Sequence, residues 1–194
     1  MQIKGPAGAL QAQIDSVENG QDVTAILCHP HPQYGGSMHD AVLQTATDVL
    51  LQQGIRCVRF NFRGVGTSEG KFDGGTGEVD DLLAVTNWVT DNYPDQMIWW
   101  LGYSFGAAMV WQALKQYTPD RCIMIAPPVS MMKFSDIQSP PRVDAIAGDQ
   151  DDFVDVNVLE NWQTVNTLVI PGADHFFSAH HNQLSQALAG LLNS

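Results

Sequence analysis

The chain predicts an α/β fold, a mostly parallel twisted sheet with helices on both faces, and three features carry that expectation. Short unbroken apolar runs recur along the sequence, segments with helical spacing separate them, and glycine, proline or acidic residues mark most boundaries. An apolar run without alternation suits a strand buried on both faces, as in a parallel sheet covered by helices. Strands alternating with helices imply right-handed crossovers.

Taken in order, Leu10, Ala12 and Ile14 alternate with polar neighbours, as in a half-exposed antiparallel edge strand. Buried strands are expected at 23–28 (VTAILC), 56–62 (RCVRFNF), 97–101 (MIWWL), 122–126 (CIMIA), 143–147 (VDAIA) and 167–170 (TLVI). A helix over 37–53 takes Ser37 as its cap, repeats Val42, Leu43, Ala46, Val49 and Leu50, and stops at Gly54. The helix over 78–92 opens on acids, which suit a helix amino terminus, carries Val79, Leu82, Leu83 and Val89 on one face, and ends before Pro94. Helices over 105–117 and 178–192 complete the set, the second with Leu184, Leu188 and Leu191 in register. No repeat or linker-like stretch interrupts the pattern, so residues 1–194 read as one domain.

A net charge of −12, with only nine Lys and Arg, excludes a mainly electrostatic affinity for nucleic acid or an anionic membrane. No apolar run approaches the roughly 20 residues of a spanning helix, and the amino-terminal stretch lacks the pattern of a signal peptide. Cys28, Cys57 and Cys122 are odd in number and embedded in apolar runs, as expected of buried thiols in a reducing compartment, and the cytoplasm is the expected location. A small molecule is the expected partner, and oligomeric state is not legible.

The strand at 97–101 is followed by Gly102-Tyr103-Ser104-Phe105-Gly106 and then by a helix-prone segment. A strand–Gly-x-Ser-x-Gly–helix turn holds its serine in a strained conformation with Oγ exposed, which marks Ser104 as a nucleophile. The turns after the later strands hold the other groups that activation of a serine requires. Gly148-Asp149-Gln150-Asp151-Asp152-Phe153-Val154 follows one, and Pro171-Gly172-Ala173-Asp174-His175 the next. A neutral imidazole takes the hydroxyl proton, and a carboxylate fixes the tautomer and stabilises the imidazolium. His175 is the expected base, whereas His180 and His181 fall a turn into the last helix and read as solvated. Asp149, Asp151, Asp152 and Asp155 are all available as the acid, with Asp151 preferred.

The loop Cys28-His29-Pro30-His31-Pro32-Gln33-Tyr34-Gly35-Gly36-Ser37-Met38 lies where one backbone N–H for a developing oxyanion is needed, the other coming from Phe105. Proline has no N–H, which leaves His31 or Gln33 as donor. His29 and His31 also resemble half of a His-x-His-x-Asp metal set, but Gln33 stands at the aspartate position, so neither metal nor cofactor is expected. Arg63 has Glu78, Asp80 and Asp81 to pair with, and an ion pair is its expected role.

Together H-P-H-P-x-x-G-G-S-M, F-N-F-R-G-V-G-T-S-E-G, G-Y-S-F-G, G-D-Q-D-D-F-V and G-A-D-H-F-F resemble the α/β-hydrolase superfamily, in particular its small bacterial branch without a cap, related to dienelactone hydrolases and serine aminopeptidase-like enzymes. The resemblance implies an α/β-hydrolase fold with no cap domain and hydrolysis of a small ester, thioester or amide. It places Ser104, Asp151 (the second aspartate of G-D-x-D) and His175 on the family's triad. Two departures stand out: His29-Pro30 replaces the His-Gly of many relatives, and a serine replaces the cysteine of dienelactone hydrolases. The rival readings are a catalytically silent binding domain of this fold and a metallohydrolase. Only residues 127–142 separate two expected strands, too few for a helical cap, which leaves an open site rimmed by Pro127, Pro128, Met131, Met132 and Phe134.

Overall fold

The computed structural model describes residues 1–135, 137 and 140–193. The chain opens with a hairpin of β1 (Gln2–Gly5) and β2 (Gly8–Asp15), followed by β3 (Val23–Cys28), α1 (Ala41–Gln52), β4 (Arg56–Phe60), α2 (Thr76–Asn92) and β5 (Met97–Tyr103). After these come α3 (Phe105–Ala113), β6 (Arg121–Ile125), β7 (Arg142–Gly148), α4 (Val156–Glu160), β8 (Val165–Ile170) and α5 (His181–Leu192). The sheet order is β1-β2-β4-β3-β5-β6-β7-β8, antiparallel at β1–β2 and β2–β4 and parallel elsewhere.

Chain direction across the sheet reverses beside β3: β4 lies on one flank of it and β5 on the other. In open α/β sheets a crevice forms at the carboxyl ends of the strands at that point. The loop after β3 and the turn after β5 both open into it.

Alternate residues of each strand feed two cores. Ala25 and Leu27, Leu101 and Tyr103, and Ile123 and Ile125 pack with Leu43 and Leu50 of α1 and Leu184 and Leu188 of α5. Ile26, Val58, Trp100 and Met124 pack on the other face with Leu82 and Val85 of α2 and Val110 of α3. Both faces are therefore covered, as the unbroken apolar runs predict. Cys28, Cys57 and Cys122 are buried free thiols. No helix of the described residues is long and apolar enough to cross a membrane.

Several boundaries differ from expectation for local reasons. α1 is capped by Asp40 rather than Ser37; Asp40 Oδ1 accepts the Val42 and Leu43 N–H groups, while Ser37 heads a preceding turn closed by Asp40 N–H to Ser37 O at 3.0 Å. α5 starts at His181 rather than Ser178, because Phe177 and Ala179 take left-handed φ values of 53° and 60° that a helix does not admit. α3 ends at Ala113, and its tail continues only as turns to Tyr117. The sequence gives no warning of β1, whose four residues hold one buried apolar side chain, Ile3, nor of the single-turn α4 capped by Asp155. Among the described residues the β6–β7 connection carries no helix or strand, so nothing there forms a cap.

Candidate active site

β5 runs out at Tyr103, and Ser104 turns the chain straight into α3. Its backbone sits at φ 54°, ψ −118°, a region costly for any residue but glycine, and its N–H donates to Ile125 O at 2.9 Å. The neighbouring glycines make this turn possible. A Cβ on Gly102 would lie 2.4 Å from the Gly106 backbone, and one on Gly106 would lie 2.2 Å from Cys28 O. Strand, helix and β3 thus meet at a distance that only hydrogen side chains permit.

The turns after β7 and β8 deliver the remaining groups. His175 Nε2 lies 2.9 Å from Ser104 Oγ, and its Nδ1 lies 2.7 Å from Asp151 Oδ2. Asp151 is fully buried at its side chain, and its Oδ1 accepts the Phe153 N–H at 2.8 Å. The Phe153 ring meets the imidazole edge-on at 4.6 Å, and Tyr103 Oη donates to His175 O at 3.1 Å. Both ends of the Asp151 carboxylate and both nitrogens of the imidazole are therefore fixed. The competing acids have other tasks. Asp149 Oδ1 accepts the Gly172 N–H at 2.7 Å and braces a turn, Asp155 caps α4, and Asp152 is exposed.

On the loop after β3, His29 is buried with both ring nitrogens engaged: Nε2 accepts the Phe62 N–H at 3.0 Å and Nδ1 donates to Pro30 O at 2.6 Å. Burial lowers its pKa from 6.5 to about 4, against the opposing pull of the Pro30 bond, so it is a neutral strut. The His31 ring packs among Tyr34, Phe72 and Phe105 at 4.6, 5.0 and 4.9 Å. Of the two loop donors expected from the sequence, the Gln33 N–H is committed to His31 Nδ1 at 3.2 Å. The backbone N–H groups of His31 and Phe105 make no hydrogen bond to any described residue.

Arg63 is half of a buried pair, as expected. Its Nη2 and Nε reach the two oxygens of the fully buried Asp81 at 2.7 and 3.0 Å, and its backbone N–H adds a third bond at 2.9 Å. His180 and His181 depart from expectation. They are half-buried at the start of α5, and His181 Nδ1 lies 2.9 Å from Thr45 Oγ1. Among the described residues no group of three or more His, Cys, Asp or Glu is placed to hold a metal ion.

A cavity of about 420 Å³ opens above Ser104. Pro128, Met131 and Met132 line it, as the sequence suggested, but Pro127 does not, and Phe134 turns away to pack on Trp111 and Trp162. Among the described residues five aromatic side chains line it: Tyr103 and Phe105 flank Ser104, Tyr34 comes from the loop after β3, and Phe153 and Phe176 come from the turns after β7 and β8. Phe153 and Phe176 stand beside the expected acid and base in the sequence, a proximity that a rim drawn from one loop overlooks. Asp40 also lines the cavity.

Comparison with known proteins agrees with this architecture. Residues 27–139 match the model of the α/β-hydrolase fold family. An uncharacterized protein of Rickettsia prowazekii is 34% identical over 96% of this chain and 85% of its own length. A Xanthomonas campestris α/β serine hydrolase described as having no lid superposes with a TM-score of 0.93 at 42% identity, covering 98% of this chain and 91% of that one. An α/β serine hydrolase homologue from Coxiella burnetii gives 0.92 at 38% identity, over 99% and 96%. With the sheet, the strand-to-helix turn and these relatives in agreement, the chain belongs to the α/β-hydrolase fold family.

Proposed function

We propose that the chain is a serine hydrolase that cleaves a small ester, thioester or amide through an acyl-enzyme. One observation carries this reading: a single imidazole bridges Ser104 Oγ and the buried Asp151 carboxylate at 2.9 and 2.7 Å. As Ser104 Oγ attacks the acyl carbon, His175 Nε2 takes its proton, and Asp151 holds the Nδ1–H tautomer and stabilises the imidazolium. The same proton passes to the leaving group as its bond to the acyl carbon breaks. Water then repeats the sequence in reverse and frees Ser104. The N–H groups of Phe105 and His31 receive the oxyanion, a role open to them because no acceptor among the described residues occupies either.

The serine hydrolases from Xanthomonas and Coxiella support this reading. The engagement of both His29 nitrogens in protein hydrogen bonds favours it over metal-centred chemistry. Largely apolar walls and the absence of a cap suit a compact acyl or alcohol group with an apolar body.

A fluorophosphonate probe tests the proposal. It labels the wild type at Ser104 and leaves Ser104→Ala unlabelled, and hydrolysis of short p-nitrophenyl esters persists in EDTA. Labelling at another residue, or loss of turnover on chelation with recovery on adding zinc, defeats it.

A further inference from the structure

One side chain in the cavity wall has no part in acyl transfer. Asp40 caps α1 through Oδ1, which accepts the Val42 and Leu43 N–H groups at 2.8 and 3.4 Å. Its Oδ2 has no hydrogen-bond partner among the described residues, and none of their ion pairs includes Asp40. The residue is half-buried and, among the described residues, is the one acid that lines the cavity. Capping alone does not call for a charge, since asparagine and serine cap equally well.

Position sharpens the inference. Asp40 heads α1, on the face of the sheet that α1 and α5 cover, whereas Met132 packs against the core on the α3 side. The cavity lining therefore combines methionine sulfur and hydrocarbon with a single carboxylate among the described residues. Burial pushes the Asp40 carboxyl above its usual range, while the two α1 N–H bonds and then the charges of His181 and His175 pull it back. The named histidines place it within electrostatic reach of the catalytic base.

We propose that Asp40 is a binding site for an ammonium group, so that the preferred substrates are small amine-bearing compounds with an otherwise apolar body. This rests on the serine-hydrolase reading for what is cleaved, but not for what is bound. An ammonium supplies the donors that Oδ2 lacks and a counter-charge in direct contact, which no ion pair among the described residues gives it. A carboxylate-bearing ligand is repelled at the same place, and the net charge of −12 acts in the same direction at longer range.

The test uses three ligands of one shape: phenethylammonium, the neutral 2-phenylethanol and the anionic 3-phenylpropanoate. Binding is followed by NMR titration, and as competitive inhibition of p-nitrophenyl butyrate hydrolysis. The wild type binds the ammonium about tenfold more tightly than the alcohol, with the carboxylate weakest, and added salt narrows the spread. Asp40→Asn keeps the cap and removes the charge. It loses the ammonium preference, leaves alcohol affinity unchanged and gains affinity for the carboxylate. Asp40→Ser, a second neutral cap, reports the same if the asparagine variant is unstable. Absence of an ammonium preference in the wild type, including no binding at all, overturns the proposal, as does a preference that survives both substitutions. The binding arm also runs in Ser104→Ala. An Asp40-dependent preference in a wild type that no fluorophosphonate labels refutes the acyl-transfer reading and leaves the cation site standing.

Discussion

Asp151→Asn isolates what the carboxylate does, because the structure dictates how the new amide must turn. Asp151 Oδ1 accepts the Phe153 N–H at 2.8 Å while Oδ2 meets His175 Nδ1 at 2.7 Å. In the asparagine, the carbonyl oxygen must stay with Phe153, since an NH₂ group there sets donor against donor in a buried place. The NH₂ then faces His175 and donates to Nδ1. With Nδ1 an acceptor, the ring proton moves to Nε2, 2.9 Å from Ser104 Oγ, and no lone pair remains to receive the serine proton. Losing both the base and the support of its imidazolium lowers kcat on the order of 10⁴-fold, about 5.5 kcal/mol of barrier. Initial rates on a short p-nitrophenyl ester measure this, with circular dichroism and thermal unfolding as controls. Asp149→Asn, which touches the Gly172 brace and a Gln150 contact but not His175, is the comparison. A folded Asp151→Asn enzyme within about tenfold of wild-type kcat refutes the reasoning.

Two further outcomes concern buried polar groups. His29 has its pKa lowered from 6.5 to about 4 by burial, so the unfolded chain protonates there before the folded one does. Its contribution is complete above about pH 6.5 and drains as pH falls towards 4, by about 3 kcal/mol over the full window. Urea unfolding at about pH 7 and about pH 5 shows a larger loss for the wild type than for His29→Gln, and equal losses contradict the assignment. Arg63→Ala strands the fully buried Asp81 and costs about 3–5 kcal/mol by chemical denaturation, part of which returns in the Arg63→Ala, Asp81→Ala double variant.

The strands were legible because burial on both faces leaves a one-letter signature: CIMIA has no polar residue, and the one in VTAILC, Thr24, is itself buried. Helix ends were less so. Ser37 and Asp40 are both good caps, and the choice falls to Asp40 because Ser37 is drawn into the turn that precedes the helix, its carbonyl accepting the Asp40 N–H. Ser178 looks like a cap, yet the chain must first turn through left-handed Phe177 to bring His175 over Ser104. The three chemical groups were readable because each occupies a polar turn directly after an apolar strand, and parallel strands align those turns. The cavity wall was not. Which of Phe134, Phe153 and Phe176 faces the site depends on how separate loops pack, as does the recruitment of Asp40 from a helix cap to that wall.

On the proposed mechanism, the placement of His175 has a consequence for damage. His175 hangs from β8, the outermost strand on its side of the sheet, which pairs with β7 alone and is mostly half-buried. Ser104 stands deep in the middle, between β3 and β6. Edge elements with few buried contacts open before central ones. A molecule under thermal or chemical stress thus unhooks its imidazole while the centre of the sheet still holds, and the serine falls silent at an early stage of unfolding. Loss of turnover then gives advance notice of collapse, and a frayed copy does no stray chemistry on its neighbours.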